Sequence, residues 1–173
     1  FCPVGSASEK QVRVAIDLGH NIHIDTDEPA AGAGIMGIGI LYLPEEGGTK
    51  TIRCGDFSAG SGLLGAGVCF VSGKVDVSGK SFCQGAGSFG AGIFVNSYGS
   101  GSSYNADFFA QGAGMTSGLG IFKVNGEEVS VEGGLTVHDA REGLAFTSLC
   151  QGVGYGPRAV AGGGIGIAIL DVS

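Results

Sequence analysis

Residues 84–96 read Gln-Gly-Ala-Gly-Ser-Phe-Gly-Ala-Gly-Ile-Phe-Val-Asn (QGAGSFGAGIFVN), and both halves of this stretch recur along the chain. The first half returns as AGAG at 31–34, AGSG at 59–62, QGAG at 84–87, QGAG at 111–114 and QGVG at 151–154. The second half returns as GIGILYL at 37–43, GAGVCFV at 65–71, GAGIFVN at 90–96, GLGIFKV at 118–124 and GIGIAIL at 164–170. The leading glycines Gly32, Gly60, Gly85, Gly112 and Gly152 are 28, 25, 27 and 40 residues apart. Such a period belongs to repeat architectures, in which each unit buries its apolar face against the next.

The second half has the period of a strand. In GIGILYL, Ile38, Ile40 and Tyr42 share one face, and Gly37, Gly39, Leu41 and Leu43 share the other. The matching faces are Ala66, Val68, Phe70; Ala91, Ile93, Val95; Leu119, Ile121, Lys123; and Ile165, Ile167, Ile169. Only Lys123 interrupts them. Because the opposite face also turns apolar after its two glycines, the expectation is a strand buried on both sides. Glycine inside a strand costs entropy, so its recurrence calls for a use, and close approach of a second backbone supplies one. The first half carries the same pattern in the pairs Gly32/Gly34, Gly60/Gly62, Gly85/Gly87, Gly112/Gly114 and Gly152/Gly154.

A unit of 25–28 residues with two or three short strands is the size of one β-solenoid coil. The expected fold is all-β: stacked coils with Gly-lined, closely packed sheets, over one domain spanning 1–173 with an irregular insert within 125–163. A β-sandwich is the alternative. Stacked coils would align Ala31, Ala59, Gln84, Gln111 and Gln151 in one column, where the glutamines can form an amide ladder. The only short helix expected is Val137–Leu144 (VHDAREGL). Asn125-Gly126, Gly47-Gly48 and the run Gly99–Ser103 read as turns.

Composition narrows the function. Glycine accounts for 36 of 173 residues, yet hydrophobic residues reach 43% and prolines number only 4, which fits neither a disordered Gly-rich chain nor collagen. Charged residues are 14%, against the roughly 25% usual in soluble domains, so much of the surface is expected to face other subunits. The net charge of −7 and the scatter of nine Lys and Arg argue against nucleic acid. The longest apolar stretch is too short for a membrane helix, which takes roughly 20 residues. The first residue is Phe1 rather than Met, as in a processed product whose export signal has been removed.

In an exported protein, Cys2, Cys54, Cys69, Cys83 and Cys150 favour disulfides; the alternative is a set of small apolar core residues. No cofactor is expected. GxGxxG occurs at 32–37, 60–65 and 85–90, but each copy runs into a strand-like segment, as the repeat requires and a dinucleotide loop does not. Gly79-Lys80-Ser81 lacks the upstream glycine of a phosphate-binding loop, that position being Lys74. The polar run His20–Glu28 (HNIHIDTDE) is a weak metal candidate through His20, His23, Asp25 and Asp27, and reads otherwise as a strand with a solvated face. His138-Asp139 reads as solvated rather than catalytic. No enzymatic constellation emerges, and a β-helix hydrolase would need carboxylates gathered on adjacent coils.

The unit F-x-Q-G-A-G, a short spacer and G-x-G-(I/V) followed by apolar residues resembles repeats of exported Gly-rich bacterial and archaeal proteins expected to form β-solenoids. Composition, first residue and cysteines are also similar to the sheath-forming proteins of filamentous methanogenic archaea. That resemblance implies self-assembly into an extracellular tube. The function expected is therefore a structural subunit of an extracellular sheath, tube, surface layer or fibre, with itself as partner. The C-terminal strand, through Ile165, Ile167 and Ile169, would pair with Gln11–Leu18 of the next copy. The alternative is a secreted adhesin or carbohydrate-binding module.

Overall fold

The computed structural model of the chain describes residues 5–134, 136–139, 144–147, 150–156 and 162–173. Among them every regular element is a strand. Three parallel sheets run side by side along a β-solenoid of about five turns, so the sandwich alternative falls.

Each of the first five coils contributes one strand to each sheet, and the last adds one to the first two. The first sheet consists of two-residue strands from the first motif: Ala7–Ser8, Gly34–Ile35, Gly62–Leu63, Gly87–Ser88, Gly114–Met115 and Gly154–Tyr155. The second sheet holds the long strands Val12–Ile16, Ile38–Leu43, Ala66–Ser72, Ala91–Ser97, Leu119–Gly126 and Ile165–Val172. The third is built from Ile22–Asp25, Lys50–Arg53, Val75–Ser81, Ser103–Phe108 and Ser130–Gly133. Like residues stack in register: Gly34, Gly62, Gly87, Gly114 and Gly154 form one column, and Gly39, Gly67, Gly92, Gly120 and Gly166 another.

The glycines serve the close approach expected of them. The carbonyls of Gly32, Gly60, Gly85 and Gly112 accept the N–H of Val68, Ile93, Ile121 and Ile167, each one coil further on. Main chain thus bonds to main chain between two sheets, and side chains would hold them apart. A β-carbon at Gly92 would collide with the Ala86 carbonyl, and one at Gly87 with that of Leu119.

The corners use left-handed backbone. Gln84 (φ 52°) and Gly85 (φ 80°) follow one another in that region, as do their counterparts in other coils. Phe57, Phe82 and Phe109 turn a second corner, and Met36, Leu64, Phe89 and Ser117 a third. Such conformations are uncommon outside glycine, so stacking holds them. At the second corner the rings of Phe57 and Phe82 lie parallel at 5.0 Å, and those of Phe82 and Phe109 at 5.6 Å.

The core lies between the second and third sheets. Leu41, Cys69, Phe94 and Phe122 form one buried column, and Leu43, Val71, Asn96 and Val124 the next. Ile22, Ile24, Ile52, Val75, Val77 and Tyr104 meet them from the third sheet. Asn96 is accommodated because its Nδ2 donates to the Gly73 carbonyl at 3.0 Å and to the Tyr104 hydroxyl at 2.6 Å.

Four sequence expectations change. The wholly apolar face of the second motif points outward, and the glycine face with its Leu, Val and Phe residues points inward, so these strands are not buried on both sides. The column of Gln84 and Gln111 forms, but without an amide ladder. Gln84 Nε2 donates to the Asn105 carbonyl at 2.7 Å and Gln111 Nε2 to the Glu132 carbonyl at 2.8 Å, because the third-sheet main chain lies nearer than the next amide. Gln151, on the last coil, is exposed. The expected helix Val137–Leu144 is replaced by strands Thr136–Asp139 and Leu144–Thr147, paired antiparallel; eight residues are too few to sustain an isolated helix, and pairing satisfies their backbone instead. Residues 140–143 lie outside the described ones. Gly47-Gly48 and Gly99–Gly101 do bend the chain, whereas Asn125-Gly126 ends a strand and the bend falls at 127–128.

One coil escaped the motif count. Gly5-Ser6-Ala7 pairs with the 32–34 segment through Ala7 and Gly34, and it lies 27 residues before Gly32, within the repeat period. Ala7 in place of the second glycine hid it.

Candidate assembly surfaces

The second sheet carries an apolar ribbon on its outside. Its central column is Val14, Ile40, Val68, Ile93, Ile121 and Ile167, in unbroken register from one edge strand to the other. Beside it run the columns Val12, Ile38, Ala66, Ala91, Leu119, Ile165 and Ile16, Tyr42, Phe70, Val95, Lys123, Ile169. Exposure reaches 66% at Val12 and 62% at Ile165, and inner positions such as Ile93 remain partly open. The rings of Tyr42 and Phe70 are 5.0 Å apart. Next to the ribbon, a groove lined by Lys10, Val12, Met36, Ile38 and Leu64 extends the apolar surface round the corner. Monomers seldom leave contiguous apolar surface beyond a few hundred Å² to water.

The third sheet is opposite in character. Its outward rows are His23, Thr51, Asp76, Ser103, Ser130 and Asp25, Arg53, Ser78, Asn105, Glu132. A groove of about 380 Å³ between them is lined by Thr51, Arg53, Asp76, Ser78, Ser103 and Asn105. His23, Asp25, Ile22 and Ile24 alternate as expected, with the isoleucines inside. The metal candidates do not converge: His23 Nε2 is 3.8 Å from Asp25 Oδ2, while the Asp27 carboxylate accepts Lys80 Nζ at 3.0 Å. Among the described residues no group of three or more His, Cys, Asp or Glu is arranged to hold a metal ion.

No disulfide joins the described cysteines: Cys54, Cys69 and Cys83 are free thiols, Cys150 is half-buried with its Sγ 3.8 Å from the Asp107 carbonyl, and Cys2 lies outside the described residues. Cys54, Cys69 and Cys83 sit in core columns among Ala, Leu and Val, and serve as small apolar side chains. Burial pushes the Cys54 thiol up to about 12 and raises those of Cys69 and Cys83, so none of the three is a ready nucleophile.

The edge strands of the second sheet are Val12–Ile16 and Ile165–Val172. Ile165, Ile167 and Ile169 point sideways into the ribbon. Along the axis, the core columns instead present Ala168 and Leu170, the latter 42% exposed. At the opposite edge Arg13 stands in the column that is glycine in the other five strands, and Asp17 lies one residue past the Ile16–Tyr42 pair, beside Leu43.

Reading the sequence missed Lys50, an inward residue of the third sheet between Ile22 and Val75. It is fully buried, with Nζ donating to the Gly47 carbonyl at 3.1 Å. Burial lowers its pKa, and Glu45 pulls the other way. The alternation Lys50, Ile52 against Thr51, Arg53 was the available signal.

Among the described residues no helix is long and apolar enough to cross a membrane. Comparison with known protein families, with curated proteins and with solved structures finds no match.

Proposed function

We propose that this chain is a non-enzymatic structural subunit that assembles with further copies of itself into an extracellular sheath, tube, surface layer or fibre. The observation that carries this reading is the apolar ribbon, in register along the whole second sheet. A surface of that kind is a liability for a dispersed protein and an asset for a packed one. The solenoid beneath it supports the same reading, because parallel pairing and main-chain bonds between sheets make a stiff unit that repeats along one axis. Edge strands at both ends of the second sheet offer a further contact, in which Ile165–Val172 of one copy lies beside Val12–Ile16 of the next.

Electron microscopy of the purified chain tests the proposal. Ordered filaments, tubes or sheets are expected; uniformly dispersed particles at high concentration would overturn it.

One observation favours a second reading, a secreted adhesin or carbohydrate-binding module. The third sheet presents ordered polar rows with a groove around Arg53, able to hydrogen-bond hydroxyl groups. Those rows contain no aromatic residue on which a sugar would stack. Saturable binding in a glycan screen, lost in Arg53→Ala, would establish that role.

A further inference from the structure

We propose that the ribbon of the second sheet packs face to face against the same ribbon of a second copy, with the two solenoid axes antiparallel about a two-fold axis. The inference rests on the self-assembly reading for its partner and adds the surface and the arrangement.

Three observations lead to it. Shape comes first: the ribbon is a sheet face of three apolar columns in register, and the complement of such a face is another sheet face at roughly 10 Å. Area comes second. The exposures along the three columns amount to something on the order of 900 Å² per chain, comparable with the roughly 800 Å² that each partner gives to a stable interface of standard size. Charge comes third. The chain carries −7, yet no acidic residue lies in the ribbon, so the contact avoids the repulsion that any acidic patch would meet in a second copy.

Lys123 sets the direction. It is the single charge in the ribbon, on the strand second from one edge of the sheet, while Tyr42 occupies the same column on the strand second from the other edge. A two-fold axis along the strand direction, through the middle of the sheet, exchanges those two strands and preserves the column. Each Lys123 then faces the Tyr42 ring of its partner, where an ammonium group over an aromatic face is favourable. With parallel axes the columns would be exchanged, and Lys123 would face the column of Ala66 and Leu119 instead. The antiparallel contact is isologous and closes at two copies, which leaves the sheet edges free for growth along the axis.

The test has two arms. Val68→Asp with Ile93→Asp places carboxylates in the central column, and pairing measured by sedimentation should weaken more than about 100-fold. Far-UV circular dichroism should be unchanged, because both side chains face outward. The second arm joins Lys123→Cys and Tyr42→Cys in one chain and oxidises it gently. Inter-chain cross-links should form with the pair and not with either single variant. Polymers of unchanged width and stability in the aspartate variant, or no cross-link in the cysteine pair, would overturn the face-to-face contact while leaving self-assembly standing. A wild-type chain that stays monomeric at every concentration would overturn both.

Discussion

At the scale of single residues, glycine and buried polar groups decide most. Gly92→Val puts a side chain where the Ala86 carbonyl lies, and its neighbours are backbone that cannot move aside. Its cost is expected to exceed the 1–3 kcal/mol or so typical of overpacking, whereas Glu46→Ala, exposed just before the Gly47-Gly48 bend, should stay within about 0.5 kcal/mol. Denaturant midpoints check both, and equal tolerance would remove the packing role of the glycines. Ser100 is a poorer control than its turn-like sequence suggests, since its Oγ accepts the Glu127 N–H at 3.1 Å. Lys50 is a different case. Its folded pKa lies below the ordinary 10.5, so the unfolded chain binds the proton more tightly. Stability therefore rises as pH passes from the folded value to 10.5, and the buried charge is a burden at neutral pH. Lys50→Met should stabilise the protein at pH 7 by up to about 2 kcal/mol. A lower midpoint would mean that the bond to Gly47 outweighs the burial cost.

At the scale of elements, the strands of the second sheet were legible because the same alternation recurs in five of its six strands. Which of their two faces points inward was not. Both are apolar, and hydrophobicity alone cannot choose between them; glycine makes the choice, since Gly39, Gly67, Gly92, Gly120 and Gly166 allow the first-sheet backbone to approach. The third-sheet strands were harder to see because each contributes only about two inward residues, and one of these is Lys50. The Val137–Leu144 helix was misread from a pattern too short to separate helix from hairpin. The cysteines carried a real ambiguity that burial resolves. Their core placement has a consequence in alkali: the unfolded chain gives up thiol protons from about pH 9, while folded Cys54 holds its proton to about 12 and burial raises Cys69 and Cys83 as well. Tyr104, pushed up to about 12 from 10.0 by burial, acts in the same sense. Stability from these groups is complete below pH 9 and falls above it, by as much as roughly 1.4 kcal/mol per pH unit for each group, with Lys50 opposing. A melting temperature that rises steadily from pH 9 to 11 would contradict this. Iodoacetamide should label Cys54, Cys69 and Cys83 only on unfolding.

At the scale of the whole molecule, the solenoid separates two directions of contact, sideways through the ribbon and lengthwise through the sheet edges. The candidate surfaces were only partly legible. In the five motif strands the sequence identifies the ribbon residues but reads them as interior; Val12, Val14 and Ile16 it places, with Ile165, Ile167 and Ile169, in the edge contact, whereas all six face sideways. Lengthwise growth instead brings Leu170 and Ala168 towards a strand whose Arg13 and Asp17 are charges of the kind that guard sheet edges. Arg13→Gly with Asp17→Leu restores the inner-coil pattern and should speed growth along the axis, giving longer polymers by electron microscopy. An unchanged length distribution would place the lengthwise contact elsewhere. The central claim, that this chain is made to associate with itself, is tested most directly by sedimentation velocity of the purified protein over a wide concentration range at low and high salt. The account predicts species above the 17.1 kDa chain that grow with concentration and with salt, as screening removes repulsion between acidic copies. A single monomeric boundary at the highest concentration, in either salt, would contradict it.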